Sequence, residues 1–570
     1  MTQDMSPEKR RFFAAEGNLL AMGGPGSGKT HAALMKAHGI ISSGALRPAQ
    51  KAVFLSFARP TVARVLEKAV QLVGREALQQ LEVSTYHSFA WNILRSHAYI
   101  LNGRRVVELI APPQAAAHLA LVPSAQHEAE KQRLFDEEGR LHFDLFARTL
   151  ARLFEQAPTL RSIYADSYPV IILDEFQDTN ADEWAMIQQL GAASRLIALA
   201  DPEQRIYEFR GADPRRLQEF IDRFGPDVCD FAGENHRSNG TDIAAFGNDL
   251  LTGANRGRSY NNVVVATHGF RRGIGPHYAL KTQVLKALQR LREVPDCSLA
   301  ILVPSRALMG QVSDYLSAAV DRLPALNHDV ALDSEPPALA AVAIASLLDA
   351  GDDRQRRDRL LVALTSHILG RRGTRNVPEG DVKFARALSS FRLTARVAGR
   401  LRELAVAECT RIAAESLRLT LSGDPAQDWL QVRALFLNAA CERLRTIADD
   451  AKYLRLLHRG AALRTSLGEL WRSQASYAGA TEAVRAALLQ EHFAVALQEP
   501  RGIHLMTIHK SKGKEFHEVI IYDGAFHRLL VDATDERRVS QERLALRVAV
   551  TRAIRRATVL TPETDRCLFL

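Results

Sequence analysis

The feature that most restricts the fold of this chain is an apolar run leading directly into a glycine-rich loop. The run is Leu19–Met22, and the loop after it reads Gly23, Gly24, Pro25, Gly26, Ser27, Gly28, Lys29, Thr30. Glycines let backbone N–H groups turn inward around a phosphate, which side chains would obstruct. Lys29 would reach the β- and γ-phosphates, Thr30 would hold Mg²⁺, and the following helix would direct its positive end at the anion. The pattern predicts a strand–loop–helix unit that binds a nucleoside triphosphate.

Composition and charge indicate which partners, cross-links and cellular locations to expect. The chain has 570 residues and a net charge of +9, with a pI of about 9.4, which fits either a polyanionic partner or an ordinary solvated surface. Its five cysteines are scattered and form no CxxC pair. We therefore expect neither a disulfide framework nor a zinc site, and a reducing cytoplasm fits. The N-terminus carries no secretory signal, and the longest apolar stretch, Ala338 to Leu348, predicts a buried helix rather than a membrane span.

Short β-rich runs between helical segments predict parallel α/β sheets with crossover helices. The first set of runs is Leu19–Met22, Ala52–Phe57, Leu81–Thr85, Val170–Leu173 and Leu196–Ala200. The second set is Val263–Ala266, Leu299–Val303, Ile503–Thr507, Val519–Tyr522 and Thr558–Thr561. Helical periodicity interrupts each set. The predicted fold is therefore α/β, with a first sheet domain (1–91 and 166–245) carrying a helical insertion (92–165), and a second (246–335 and 499–570) carrying another (336–498).

One predicted strand delivers two carboxylates, because Val170–Leu173 runs into Asp174 and Glu175. The carboxyl edge of a parallel sheet faces the ligand crevice. There Asp174 would hold Mg²⁺, and Glu175 would orient or deprotonate an attacking water. A capping Asp-Glu pair at a strand end is the alternative. The next strand is followed by Gln204, a neutral donor and acceptor suited to sensing a γ-phosphate.

Phosphoryl transfer spreads charge over the γ-phosphate oxygens, and an arginine can neutralise that charge. Arg237 lies in Asn235-His236-Arg237-Ser238, and Arg552 lies in Val550-Thr551-Arg552-Ala553. Composition does not distinguish these two arginines from the other basic residues, so their assignment depends on a comparison with a known family.

Taken in order along the chain, the motifs resemble those of superfamily 1A DNA helicases, the UvrD/Rep/PcrA group. Besides the glycine loop, the resembling segments are VSTYHSF (83–89), ILDEFQDTN (172–180), ADPEQRIYEFRGA (200–212), ENHRS (234–238), MTIHKSKGKEF (506–516) and ERLALRVAVTRA (542–553). The resemblance implies two RecA-like motor domains, each with a helical insertion. It also implies ATP and Mg²⁺ as cofactors and single-stranded DNA as the partner.

The resemblance also assigns roles to individual residues. It implies that hydrolysis uses Lys29, Glu175, Gln204, Arg237 and Arg552, with the two arginines reaching the γ-phosphate from opposite sides of an interdomain cleft. It implies nucleoside contacts from His236 and Glu515. For single-stranded DNA it implies contacts from Phe57, His87, Tyr207, Phe209, Arg210 and His509, with aromatic rings stacking on bases. Core packing is the alternative for the three aromatic residues Phe57, Tyr207 and Phe209.

Three segments depart from the pattern of that group. Lys9 stands where the group has a glutamine that reads adenine, and His236 stands where it has an adenine-stacking tyrosine. Ala58-Arg59-Pro60-Thr61 replaces the usual Thr-Asn-Lys-Ala. Imidazole can still stack on adenine, but we predict a reduced preference for ATP over GTP.

The activity implied by the resemblance is an ATP-dependent 3′→5′ helicase or translocase. It would act on single-stranded DNA and single-strand/duplex junctions in the cytoplasm, in repair, recombination or antiphage defence, with no membrane partner. The chain is short for the group, and short UvrD-like proteins resemble the helicase subunit of antiphage systems such as Gabija, which works beside a separate nuclease. The alternative is therefore an ATP-gated DNA-binding subunit of a nuclease or defence complex, with little unwinding of its own. An RNA helicase is a third alternative.

Overall fold

The structure, a computed structural model, describes residues 6–57, 59–73, 77–103, 105–204, 211–231, 237–269, 277–331, 335–373, 376–452, 462–493, 501–524, 529, 535–564 and 566–570. Its strands are β1 (Leu19–Met22), β2 (Ala52–Ser56), β3 (Leu81–Thr85), β4 (Glu108–Ile110), β5 (Arg140–His142), β6 (Val170–Leu173), β7 (Arg195–Ala200), β8 (Asp227–Asp230), β9 (Val263–His268), β10 (Ser298–Val303), β11 (Asp329–Val330), β12 (Gly502–Thr507), β13 (Phe516–Tyr522) and β14 (Ala553–Pro562).

The helices follow the same order along the chain. They are α1 (Pro7–Ala14), α2 (Lys29–Ser42), α3 (Arg59–Val73), α4 (Tyr86–His97), α5 (Pro112–Leu119), α6 (His127–Glu138), α7 (Phe146–Gln156), α8 (Pro158–Ser167), α9 (Ala181–Leu190), α10 (Arg216–Phe224), α11 (Ile243–Thr252), α12 (Tyr278–Arg290), α13 (Arg306–Ser317), α14 (Glu335–Leu348), α15 (Asp353–Gly370), α16 (Glu379–Thr394), α17 (Arg400–Ser416), α18 (Pro425–Leu437), α19 (Glu442–Ala451), α20 (Ala462–Gln474), α21 (Ala480–Phe493), α22 (Ile508–Ser511) and α23 (Glu536–Val550).

The chain divides into two compact units. The sheet unit comprises Met1–Ala90, Leu150–Leu332 and Val495–Leu570, and the helical unit comprises Trp91–Thr149 and Asp333–Ala494. Within the sheet unit, we call residues 6–90 and 150–231 the first lobe, and residues 237–331 and 501–570 the second lobe.

A six-stranded parallel sheet in the order β3-β2-β6-β7-β1-β8 forms the first lobe. Leu20 of β1 lies beside Ala198 of β7 on one side and Val228 of β8 on the other. Every residue of β2 and β6 is buried, as expected of a parallel sheet whose crossover helices cover both faces. The five strands predicted for this lobe all form. β8 is not predictable from hydrophobicity, because it is short and has an aspartate at each end.

The second lobe repeats this architecture, with six parallel strands in the order β11-β12-β10-β13-β14-β9. Residues along β10 alternate between two cores. Ala300 and Leu302 belong to the core that contains Phe516, whereas Leu299 and Ile301 belong to the core that contains Val284. The five strands predicted for this lobe also form, and the two-residue β11 adds a sixth. Both parallel sheets confirm the predicted α/β class.

The helical unit is built around α14. Residues from Ala338 to Leu348 are buried, apart from the half-buried Val342, which confirms the predicted buried helix. Helix α14 packs against α15, α18, α19 and α21, and α5 from the earlier chain segment packs on both α14 and α15. The two predicted insertions therefore belong to one compact unit, and they share a small apolar cluster of Ala117, Leu369 and Ala385. A short parallel pair, β4 and β5, completes the unit.

The observed boundaries differ from the predicted insertions 92–165 and 336–498. Residues 150–165 belong to the sheet unit, where Arg161 on α8 donates a hydrogen bond to Gln189 on α9 at 2.8 Å. Across the ranges that the structure describes, no helix combines the length and apolar character needed to cross a membrane.

Candidate nucleotide-binding site

The glycine loop connects β1 to α2 as the sequence predicts. Gly26 has φ +77° and Gly28 has φ +86°, a left-handed backbone that side chains disfavour. Helix α2 begins at Lys29, directly after the second of these glycines. The loop and the helix N-terminus together offer the unpaired backbone N–H groups and positive dipole that suit an anion.

Lys29 is held by the loop that precedes it. Its Nζ donates to the carbonyl oxygens of Gly23 and Gly24 at 2.5 and 3.1 Å. Desolvation lowers the pKa of Lys29, and the charges of Asp201, Glu175 and other acids oppose that shift. The ammonium therefore lies where loop carbonyls and carboxylates converge, within reach of a phosphate bound by the loop.

Two carboxylates lie beside this ammonium at the carboxyl end of β6. Ser56 donates to Asp174 Oδ2 at 2.9 Å, and burial together with the Glu175 charge raises the pKa of Asp174. Glu175 itself has φ +53°, which is strained for a residue other than glycine and typical of functional sites. Burial alone would raise the pKa of Glu175, but Lys512 and the Gln177 hydrogen bond outweigh it and lower that pKa.

Gln204 links the two lobes through a single side chain. Its Nε2 donates to Asp201 Oδ2 at 2.7 Å, and its Oε1 accepts from Arg552 of the second lobe at 2.9 Å. Arg552 is only 2% exposed, and burial with the nearby Arg237 charge lowers its pKa. The uncharged amide therefore joins an acid of the first lobe to an arginine of the second lobe.

Glu515 of the second lobe makes a second connection to the first lobe, through Arg64. Arg237 Nε donates to Glu515 Oε1 at 2.6 Å, and its NH1 donates to the Thr551 carbonyl at 3.2 Å. Arg64 on α3 binds the same Glu515 oxygen at 2.5 Å. Burial opposes ionisation of Glu515, but Arg237, Arg64 and Lys68 hold its pKa well below the usual range. One carboxylate therefore stays ionised between arginines from two chain segments.

Sequence reasoning gave no role to Lys512, which the fold brings into the same site. Its Nζ donates to the Gln204 carbonyl at 2.7 Å and to the Asp178 carboxylate, and lies 3.7 Å from Glu175 Oε2. Lys512 lies in the MTIHKSKGKEF segment. That segment was recognised as a motif, but the motif did not indicate what Lys512 does. Arg64 had no sequence signal, since its importance depends on the packing of α3.

The glycine loop, the acids after β6 and the arginines described above line a cavity of about 1730 Å³. The predicted site residues on its wall are Gly24, Pro25, Gly26, Ser27, Gly28, Lys29, Thr30, Asp174, Glu175, Gln204, Arg237, Glu515 and Arg552. Lys9, Arg10 and Phe13 of α1 also line the cavity, as do Arg64 and Lys68 of α3. His236 lies outside the described residues.

The predicted DNA contacts are placed only in part. Phe57 is half-buried and stacks on the buried Tyr86, with ring centroids 4.5 Å apart and planes 27° apart. His87 is half-buried and His509 on α22 is exposed. Tyr207, Phe209 and Arg210 lie outside the described residues. Their stacking on bases stays a prediction, and Phe57 combines ring packing with a partly exposed surface.

Fold and site define a class, the two-lobed P-loop proteins, in which one lobe carries the glycine loop and the other presents an arginine to it. The UvrD/REP helicase N-terminal domain family matches residues 5–138 and 123–225. The chain is also similar to the ATP-dependent DNA helicase UvrD1 of Mycobacterium tuberculosis, with 27% identity over 316 residues, 44% of this chain and 40% of that protein. It is similar to the ATP-dependent DNA helicase PcrA of Staphylococcus epidermidis, with 25% identity over 277 residues, 41% of this chain and 38% of that protein.

Over these ranges the chain is similar to DNA helicases of the UvrD/PcrA type. The matched part spans about 40% of the length of these curated relatives. What those complete proteins do is therefore carried to this chain only as a proposal.

Proposed function

We propose that this chain is an ATP-dependent DNA helicase or translocase that moves 3′→5′ on single-stranded DNA. The observation that carries the proposal is the composition of the cavity wall. The first lobe contributes Lys29 and Glu175, and the second lobe contributes Glu515 and Arg552. A nucleotide that contacts both sets would draw the lobes together, and its hydrolysis would release them.

The cavity residues fit Mg²⁺ and a triphosphate. A hydroxyl and a carboxylate are the oxygen ligands that Mg²⁺ prefers, and the adjacent acids Asp174 and Glu175 form a buried pair that a cation would compensate. Thr30 and Asp174 would hold the ion, which would neutralise charge on the phosphate oxygens.

The chain's own residues supply the remaining chemistry of hydrolysis. Glu175 would orient the attacking water and accept its proton, since its pKa is lowered and it stays ionised near neutrality. Lys29, Arg237 and Arg552 would balance the charge that develops on the γ-phosphate oxygens. Gln204 would couple the presence of that phosphate to Arg552, its hydrogen-bond partner.

Movement along DNA would depend on aromatic and basic groups outside the nucleotide cavity. Base stacking does not depend on sequence, because every base has a π-face. Phe57, Tyr207 and Phe209 are the candidate stacking rings, and His87, Arg210 and His509 are the candidate polar contacts. The pI of about 9.4 supports a polyanionic track.

Steady-state ATP hydrolysis with and without single-stranded DNA tests this proposal. We expect strong stimulation by DNA, and we expect Lys29→Ala to abolish turnover while DNA binding persists. Lys51→Ala is the matched control, since Lys51 is an exposed lysine of the same lobe. We expect this variant to hydrolyse ATP at the parental rate. Normal turnover by Lys29→Ala would refute the site.

A strand-separation assay with a 3′ or a 5′ single-stranded tail tests polarity and unwinding separately. Unwinding only from the 3′ tail supports the proposal. DNA-stimulated hydrolysis without unwinding of either substrate would favour the ATP-gated subunit of a nuclease or defence complex instead.

A further inference from the structure

Arg547 is a fully buried arginine on α23 that the hydrolysis scheme above does not use. It is 1% exposed, and its partners come from both lobes. NH2 donates to Glu203 Oε2 at 2.6 Å, and NH1 donates to the Glu203 carbonyl at 3.2 Å. NH1 also lies 3.8 Å from Asp201 Oδ1. Within the second lobe, NH2 donates to Asn248 Oδ1 at 3.0 Å.

Burying a guanidinium is costly unless charged and polar partners compensate it. Both carboxylates that compensate Arg547 belong to the first lobe, whereas its helix belongs to the second. Separation of the lobes would remove both carboxylates and leave Asn248 as its amide partner. The contact is therefore specific to the arrangement in which the lobes meet, and it favours that arrangement.

The same contacts constrain the turn that carries Gln204. Asp201 accepts from the Glu203 backbone N–H at 3.1 Å and from the Gln204 side chain at 2.7 Å. Arg547 thus binds the turn through Glu203 and approaches Asp201, and Arg552 contacts the turn at Gln204. Replacing Arg547 would leave Arg552 and its hydrogen-bond partners present. It would remove the contacts with Glu203 and Asp201 that constrain the turn.

We propose that Arg547 is a positioning residue that holds the turn from Asp201 to Gln204 against the second lobe, so that Gln204 meets Arg552 when the lobes close. This inference rests on the proposed ATPase function. It predicts that the Glu203–Arg547 pair controls the rate of hydrolysis after nucleotide has bound.

ATPase kinetics of Arg547→Gln, Arg547→Lys, Glu203→Gln and the double variant Glu203→Gln/Arg547→Gln test the inference. We expect Arg547→Gln to lower kcat about 10- to 100-fold with KM changed less than about threefold, the pattern of a misplaced rather than a missing binding group. Arg547→Lys should recover part of the rate, because it keeps the charge but loses the forked geometry. The double variant should be no slower than Arg547→Gln alone, since the two residues act through one contact.

Arg543→Gln is the matched control, one helical turn earlier on α23. Arg543 contacts the Leu251 carbonyl and the Phe569 ring, both in the second lobe, so its loss should leave kcat unchanged. Additive effects in the double variant, or parental kcat in Glu203→Gln and Arg547→Lys, would overturn the inference. Inactivity of the parental chain, with Lys29→Ala no different, would instead mean that the proposed ATPase function fails.

Discussion

The two lobes share a fold but differ in the charges they present to the cavity. Each has six parallel strands, and each secures the end of a helix with a buried lysine. Lys36 donates to the carbonyls of Phe12, Phe13 and Ala15. Lys281 donates to those of Tyr315, Leu316 and Ala318. Architecture alone would therefore not tell the lobes apart.

Their functional groups do tell them apart. The first lobe places the glycine loop, Asp174, Glu175 and Asp201 around the cavity, whereas the second lobe brings Arg552 and Lys512 to those acids. In the second lobe, β10 continues into α13 through Pro304 and Ser305, with Ser305 capping the helix. Under the proposed function, the first lobe would hold the phosphates and the second lobe would respond to them, so hydrolysis should require both.

The strongest test of this division is Arg552→Ala. An arginine that neutralises transition-state charge is worth about 10³- to 10⁵-fold in rate, so we expect kcat to fall at least about 10³-fold while nucleotide still binds the first lobe. Single-turnover hydrolysis and binding of a fluorescent ATP analogue measure the two effects.

Arg555→Ala is the control for that experiment, because Arg555 is an exposed arginine three residues further along the chain, on β14. It should keep parental rates. If Arg552→Ala lost nucleotide affinity but not kcat, the second lobe would be holding the phosphates and the division between the lobes would be wrong.

Gln204→Ala should have the next largest effect, about 10- to 100-fold on kcat. The change leaves Arg552 and Asp201 in place but removes the amide that joins them. Gln218→Ala, an exposed glutamine on α10 that bonds Asp222, is the control. A Gln204→Ala protein with full DNA-stimulated turnover would argue against communication through this side chain.

Lys36→Met and Lys281→Met should each destabilise the fold by about 1–3 kcal/mol, since each leaves carbonyls without a donor. Only Lys36→Met should weaken nucleotide binding, because Lys36 anchors α1, which lines the cavity with Lys9, Arg10 and Phe13. Equal loss of nucleotide affinity in both variants would remove the distinction between the lobes.

The stability of the parental protein should depend on pH through Lys36. Burial lowers the pKa of Lys36 to about 8, so between pH 8 and 10 the unfolded chain binds a proton that the folded chain lacks. Stability then rises with pH. Relative to Lys36→Met, the free energy of unfolding should increase by about 1 kcal/mol from pH 8 to pH 9, as measured by urea denaturation. An unchanged difference between the two proteins would show that Lys36 keeps its proton.

The smallest expected effect concerns the base. Lys9 offers donors only, whereas recognition of adenine also needs an acceptor for its amino group. We expect kcat/KM for ATP and GTP to agree within about tenfold, and Lys9→Gln to increase the preference for ATP. A strict preference for ATP in the parental protein would contradict this prediction.

Local sequence patterns predicted much of the fold and of the candidate site. The glycine loop, the acids after β6 and the ten predicted strands are properties of contiguous segments, where hydrophobicity and glycine placement are informative. β8 was not predicted, because a strand of four residues with an aspartate at each end has no hydrophobic signature. The packing of both insertions into one compact unit was also not predictable, since α5 and α15 are far apart in the chain.

The amino-acid sequence alone determined the α/β class, the phosphate loop and the acids that follow β6, because each arises from neighbouring residues. Only the tertiary structure decided which of the 74 lysines and arginines pair with carboxylates distant in the chain. Arg64, Lys512 and Arg547 carry no local signal that separates them from solvated cations. Their importance comes from burial against carboxylates distant in the chain, where losing water makes each pairing obligatory.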